Sequence, residues 1–181
     1  QLGQVSAEVR RLRRLSDDLA SLSRAEEGRL SIAAAPVDLD AVAAGIVARL
    51  ASQAEDAGLR LAFVRGAGTV TADADRVVQV LTNLIGNAIR ATPSGGSITV
   101  TGTRAGASAS LEVTDTGIGL APADVERVFE RFYRVPGASA VSEGSGIGLT
   151  VARAYMRAMG GSLTASSPGP GRGATFTATF G

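Results

Sequence analysis

Asn83 and Asn87 stand four residues apart in LTNLIGNAIRAT (81–92), where apolar residues recur at helical spacing. Asparagine is poorly suited to a helix interior because its amide competes for backbone hydrogen bonds. Two of them on one face therefore need a reason. Arg90, three residues beyond Asn87, falls on the same face, while Val80, Leu81, Leu84, Ile85 and Ala88 supply the opposite, apolar side. A pair of neutral amide oxygens suits Mg²⁺ that already carries phosphate oxygens and water, since that ion takes few protein ligands. The arginine could meet phosphate oxygens. Taken alone, the pair also fits two amides satisfied in a polar surface or a helix cap.

In LEVTDTGIGL a strand pattern ends at Asp115 and runs into Gly117 and Gly119, which let backbone lie against a flat ligand or adopt positive φ. An ionised carboxylate can accept from an exocyclic amine, which favours adenine over guanine, whose carbonyl stands at that position. A simple Asp-Thr-Gly turn closing a strand is the plainer alternative. GSGIGLT (144–150) reads as a glycine turn opening a helix, where free N–H groups and the helix dipole favour phosphate. Such a glycine pattern is weak by itself. Its weight comes from company, because three phosphate- or base-compatible segments lie within 70 residues, with Arg131 and Arg134 on the loop between the last two. Together they describe a nucleotide pocket.

The elements that must position these residues can be read along the chain. QLGQVSAEVRRLRRLSDDLASLSRAEEGRL carries Val5, Val9, Leu12, Leu15, Leu19 and Leu22 at helix-seam spacing and stops at Gly28. That stripe needs cover, either from the rest of its own domain or from missing partners in a coiled coil or bundle. Arg10, Arg11, Arg13, Arg14, Asp17 and Asp18 crowd its other faces. SIAAAPVD (31–38) reads as a linker. The pattern then predicts a short strand near Val37–Leu39, a helix over Asp40–Ala57, strands at Leu59–Val64 and Thr69–Ala72, and a helix over Asp73–Ala91. SITVTGTR and SASLEVTD alternate with period two and form a hairpin signal. A short helix is expected at Ala121–Phe129, a mobile loop over Glu130–Ser145, and a helix at Ile147–Met159 stopped by Gly160–Gly161. Strands at Ser162–Ser166 and Ala174–Phe180 close the chain. Helices grouped with a mixed, mostly antiparallel sheet imply an α/β two-layer sandwich of three helices on the sheet, preceded by one N-terminal helix.

Composition narrows the chemistry. The chain has no cysteine and no histidine, so disulfides, zinc sites, thiol catalysis and a histidine acceptor of its own are excluded by inventory. With 18 basic and 17 acidic residues the net charge is +1, which supplies no field to draw nucleic acid or an anionic membrane. No apolar run approaches the roughly 20 residues needed to cross a bilayer. All basic residues are arginine, a bias from which no function follows.

These segments resemble the catalytic, ATP-binding region of bacterial sensor histidine kinases of two-component systems, within the wider superfamily of gyrase, heat-shock protein 90 and the MutL ATPases. LTNLIGNAIRATPSGG resembles the family's N box, DTGIGL its first glycine box, FERFYR its phenylalanine box and GSGIGLT its second glycine box, while GRGATFTATF resembles its closing element. RLRRLSDDLASLSRAEEG is similar to the end of the second helix of the dimerisation and phosphotransfer domain. The resemblance implies a Bergerat-type ATP-binding fold over residues 31–181, with residues 1–30 as the end of that helix.

It further implies ATP and Mg²⁺ as ligands. Asn87 would bind the metal, with Asn83 in or beside its shell; Asp115 would receive the adenine amine; Gly117 and Gly119 would admit the base. Gly144, Gly146 and Gly148 would form a lid hinge and phosphate-facing turn with Leu149 packed behind, and Arg134, with Arg131, would reach the γ-phosphate when the lid closes. Phe129 and Phe132 are expected to anchor the lid. Arg90 stands where the family commonly has lysine, and Ala91 where an aromatic residue often follows. The phosphoacceptor histidine would lie upstream of Gln1, on a helix of the same chain or of a dimer partner, and a response regulator would take the phosphoryl group from it. The whole protein is expected to be a homodimer at the bacterial plasma membrane with this region cytoplasmic and without membrane contact of its own. Two other functions share the pocket: a serine/threonine kinase of anti-sigma-factor type and a non-catalytic ATP-sensing module.

Overall fold

In the computed structural model, residues 2–136 and 144–181 are described, with side chains from residue 8 onward. The expected mobile loop over Glu130–Ser145 therefore falls partly, at 137–143, outside the described residues, as does the side chain of Val5. The elements in chain order are α1 (Leu2–Glu26), β1 (Ala35–Asp38), α2 (Leu39–Asp56), β2 (Arg60–Val64), β3 (Thr69–Ala72), α3 (Ala74–Ala91), β4 (Ser97–Ala105), β5 (Ser108–Asp115), α4 (Gly148–Ala158), β6 (Ser162–Ser166) and β7 (Ala174–Phe180).

Among the described residues the strands form two sheets. The larger has the order β2-β4-β5-β7-β6, and only its β2–β4 pairing is parallel. Its hairpin β4–β5 turns at Gly106, whose φ of 63° supplies the positive dihedral that a tight two-residue connection needs. Alternation then sorts the faces. Ile98, Val100, Leu111, Val113, Phe176 and Ala178 point into one buried layer with the apolar sides of the helices, whereas Thr99, Thr101, Thr114 and Thr175 lie on the opposite face. The core is the space between that sheet face and the helices, closed by Leu39, Leu81, Leu84, Ile85, Ile147, Tyr155 and Met156, all below 2% exposed. The expected sandwich of three helices on a mixed sheet, with one helix preceding it, is what the chain forms.

Three expectations need correction. The segment 31–38 is not wholly linker, because Ala35–Asp38 pairs antiparallel with β3 as a separate two-stranded sheet and buries Val37. The expected helix at Ala121–Phe129 is two 3₁₀ turns, Pro122–Asp124 and Arg127–Phe129. Neither turn has a side-chain cap, and Asp124 is buried instead, accepting a hydrogen bond from the Tyr133 hydroxyl, so nothing extends the first turn into an α-helix. The apolar stripe of α1 is covered by the chain's own domain only in part. Leu22 is buried and Leu15 half-buried against the chain's own domain, while Val9, Leu12 and Leu19 remain exposed.

Candidate functional site

The centre of the site is a cavity of about 480 Å³, a size suited to a small organic ligand. Its walls come from α3, the turn after β5, the segment 133–135, the first turn of α4, β7 and one face of α1.

α3 begins at Asp73, whose carboxylate accepts from the backbone of Asp75 at 3.1 Å, Arg76 at 3.3 Å and Ala33 at 2.9 Å. Its apolar side is fully buried, which turns Asn83, Asn87 and Arg90 to the cavity. Asn83 Nδ2 donates to the Gly148 carbonyl at 3.0 Å, tying α3 to the start of α4, and its amide oxygen takes no hydrogen bond among the described residues. Asn87 has no side-chain hydrogen-bond partner among the described residues and also faces the cavity. Two amide oxygens without partners among the described residues fit a hard cation that draws its other ligands from phosphate and water. No cluster of three acidic metal ligands exists among the described residues, so a cation here would depend on that shared arrangement.

β5 delivers Asp115, 4% exposed, to the cavity wall. Its Oδ1 accepts from Gly117 N at 2.8 Å and Ala174 N at 3.3 Å, so its second oxygen is unclaimed by the described residues. Burial raises the carboxyl above its ordinary value of 3.8, against the lowering effect of those two N–H donors. Gly117 passes so close to the Ala91 carbonyl that any Cβ would collide with it. That close approach, together with the Ile118 N to Ala91 O bond of 3.0 Å, moors the glycine turn on the end of α3. Gly117 thus shapes the wall from behind, while Gly119 and Ile118 line it.

At the other side, Gly144, Gly146, Gly148 and Leu149 line the cavity where α4 begins. Gly146 adopts φ 72° with its carbonyl accepting from Phe132 N at 2.8 Å, joining the phenylalanine and glycine segments through backbone. Phe132 itself has φ 60°, which turns its ring outward to 60% exposure. Only Phe129 is anchored by its ring, edge-on to Phe176 with centroids 6.1 Å apart. Arg134 lines the cavity and donates to the Gly144 carbonyl at 2.7 Å. Arg131 does not: its guanidinium is paired with Glu26 of α1. Arg90 is crowded by protein and by the like charges of Arg14 and Arg134, and each effect lowers its pKa from the ordinary value.

The structure therefore brings together Asn83, Asn87, Arg90, Asp115, Gly119, Arg134, Gly144, Gly146, Gly148 and Leu149, and leaves Gly117 behind the wall and Arg131 paired with Glu26 of α1. It adds Thr92, Val128, Tyr133, Phe176 and, from α1, Arg11, Arg14 and Asp18. The spacing of Arg11, Arg14 and Asp18 along one helix face was a readable signal, but such charges usually mark solvated surface.

The two-layer sandwich thus gathers a buried carboxylate, two amides and several arginines on one cavity. The chain belongs to the family described as Histidine kinase-, DNA gyrase B-, and HSP90-like ATPase, matched over residues 72–181. It is 37% identical over 161 residues to the sensor protein IrlS of Burkholderia pseudomallei, covering 88% of this chain and 34% of that protein. Its fold is similar to that of full-length ShkA in complex with AMPPNP, with TM-score 0.83 and 27% identity over 99% of this chain and 38% of the other. A comparable likeness, TM-score 0.83 and 25% identity, holds with the Acinetobacter baumannii histidine kinase AdeS over 99% of this chain and 82% of that one. The chain spans about a third of the length of the curated relatives it matches. No helix among the described residues is long and apolar enough to cross a membrane.

Proposed function

We propose that the cavity binds Mg-ATP and that the chain catalyses transfer of the γ-phosphoryl group to a histidine carried by another helical segment, from which a response-regulator aspartate takes it. The observation that carries this reading is the buried Asp115 carboxylate in the cavity wall, one of whose oxygens takes no hydrogen bond among the described residues, sharing that cavity with the amide and arginine groups of α3 and with Arg134 of the segment before α4. Asp115 accepts from the adenine amine. Ile118, Leu120, Val128 and Phe176 give the base its apolar walls. Asn87, with Asn83 beside it, holds Mg²⁺, which neutralises phosphate charge. Arg134 and Arg90 supply fixed positive charge where the transferring group becomes more exposed to attack, a term that operates without reorganisation at the moment of reaction. Arg131 reaches the phosphates only if its pair with Glu26 opens. The likeness to sensor histidine kinases and to a protein complexed with AMPPNP, an ATP analogue, favours this reading over the other pocket-sharing functions.

In the reaction the bond between the γ-phosphorus and its bridging oxygen breaks, a phosphorus–nitrogen bond forms on the acceptor imidazole, and ADP leaves. The chain has no histidine, so the acceptor must be supplied. Incubation with γ-labelled ATP and a separately prepared histidine-bearing helical hairpin is expected to place acid-labile label on the hairpin and none on this chain. Label on the chain itself, acid-stable label on the hairpin, or no transfer despite bound ATP would overturn the proposal.

A further inference from the structure

We propose that α1 completes the phosphate end of the pocket, with Arg14 as a direct ligand of the terminal phosphate of a bound nucleoside triphosphate, so that the triphosphate holds α1 against the catalytic layer. The proposal rests on the nucleotide reading of the cavity.

Three arginines from three separate parts of the chain, Arg14 of α1, Arg90 of α3 and Arg134 of the segment before α4, line one cavity. The ion pairs of the described residues include none of these three, and Asp18, four residues from Arg14 on the same helix face, is the one carboxylate of α1 that reaches the cavity. Arg134 spends one nitrogen on the Gly144 carbonyl, and Arg14 donates through Nε to the Arg10 carbonyl at 3.4 Å, so the planar ends of both retain donors that no described residue takes. The arginines of the lining outnumber its two carboxylates, Asp18 beside Arg14 and Asp115, and the pKa of Arg90 is lowered first by burial and then by the like charges of Arg14 and Arg134. A polyphosphate relieves that repulsion and offers the bidentate geometry that arginine matches.

The placement of Arg14 is set by packing, not by one side chain. Ser21 and Leu22 are buried at 7% and 4% exposure, and Glu26 pairs with Arg131 of the segment before α4. Arg14 lies two turns before Leu22 and so overhangs the cavity whenever the lower half of α1 is docked. Arg11, one turn earlier, also lines the cavity but is shared with Glu8 at 3.1 Å, which leaves Arg14 the stronger candidate.

The test is calorimetric titration of the 181-residue chain with Mg-ATP, Mg-ADP and adenosine, for the wild type, Arg14→Ala, Arg14→Lys and Arg13→Ala, the last changing an exposed residue outside the cavity wall. Arg14→Ala is expected to weaken ATP about tenfold while changing ADP and adenosine by less than about threefold, the scale of one charge-assisted hydrogen bond. Arg14→Lys should recover part of the loss and Arg13→Ala should match wild type. Hydrogen exchange of the α1 amides should slow with ATP in the wild type and not in Arg14→Ala. Wild-type ATP affinity in Arg14→Ala, with binding abolished by Asp115→Asn, would overturn the role of α1 and leave the nucleotide reading standing. Failure of the wild type to bind any adenine compound would overturn both.

Discussion

Asp115 shows how much one residue can reveal and where inference from sequence ends. Its type and its place between a strand pattern and two glycines were enough to nominate it as the base-selecting group. Burial, the pair of N–H donors on Oδ1 and a second oxygen unclaimed by the described residues belong to the folded chain. Arg131 marks the limit. A sequence says that two arginines lie in a phenylalanine segment, but not that one of them pairs with Glu26, 105 residues earlier. The raised pKa of Asp115 gives a pH prediction. Its ionised form is disfavoured in the folded chain, so protonation begins at a pH above the ordinary carboxylate value, and acceptance from an exocyclic amine fades as pH falls through that raised value. Adenosine, which has no phosphate to titrate, should therefore lose affinity on acidification while circular dichroism still reports a folded chain. Affinity that stays flat until the fold is lost would show that the ionised carboxylate is not what the base meets.

Elements were legible in proportion to how strongly local chemistry specified them. β3, β6 and β7 fall where alternation and turn residues put them, and α3 starts one residue inside its expected bound because Asp73 acts as its cap. The stretch 121–129 misled because it has a helix-like apolar spacing but no cap, and a Pro-initiated turn that buries Asp124 competes successfully. The two-stranded sheet β1–β3 was hidden because pairing across 30 residues is a tertiary fact. Its loop is held by Asp40, which is buried and accepts from Gly66, Ala67 and Gly68, each at 3.1 Å. Burial alone would raise this carboxyl, but the three N–H donors and the charge of Arg65 outweigh it and hold it below 3.8. A carboxylate lowered in the folded state stabilises at pH above its unfolded value, and that contribution is lost as pH falls through the lowered folded value. Asp40→Ala should thus cost about 3 kcal/mol near neutral pH, since it strands buried backbone donors. The loss should shrink below the ordinary carboxylate range, as chemical denaturation at several pH values would reveal. An equal loss at all pH values would assign the effect to packing alone.

For the molecule as a whole, net charge conceals what matters. A balance of +1 coexists with four arginines around a single cavity, and that local asymmetry is what an anionic ligand meets. The sandwich was readable from the order of the elements, and the proposed nucleotide site rests on three short segments that the fold gathers on one cavity. What lay beyond reach was the attachment of α1, since an amphipathic stripe states that it needs cover without saying whose. The chain answers in two parts: Leu22 and Ser21 seat the helix on its own domain, and Val9, Leu12 and Leu19 stay open to solvent. The central claim remains that the cavity selects adenine through Asp115. It is tested most directly by calorimetric titration of ATP and GTP, with Mg²⁺ present, into the wild-type chain and Asp115→Asn, which preserves an acceptor for Gly117 and Ala174 but presents an amide where the carboxylate oxygen was free. Binding of ATP and not GTP by the wild type, weakened at least about tenfold in the variant, is the expected result. Equal binding of the two nucleotides, or ATP affinity unchanged by the substitution, would contradict it.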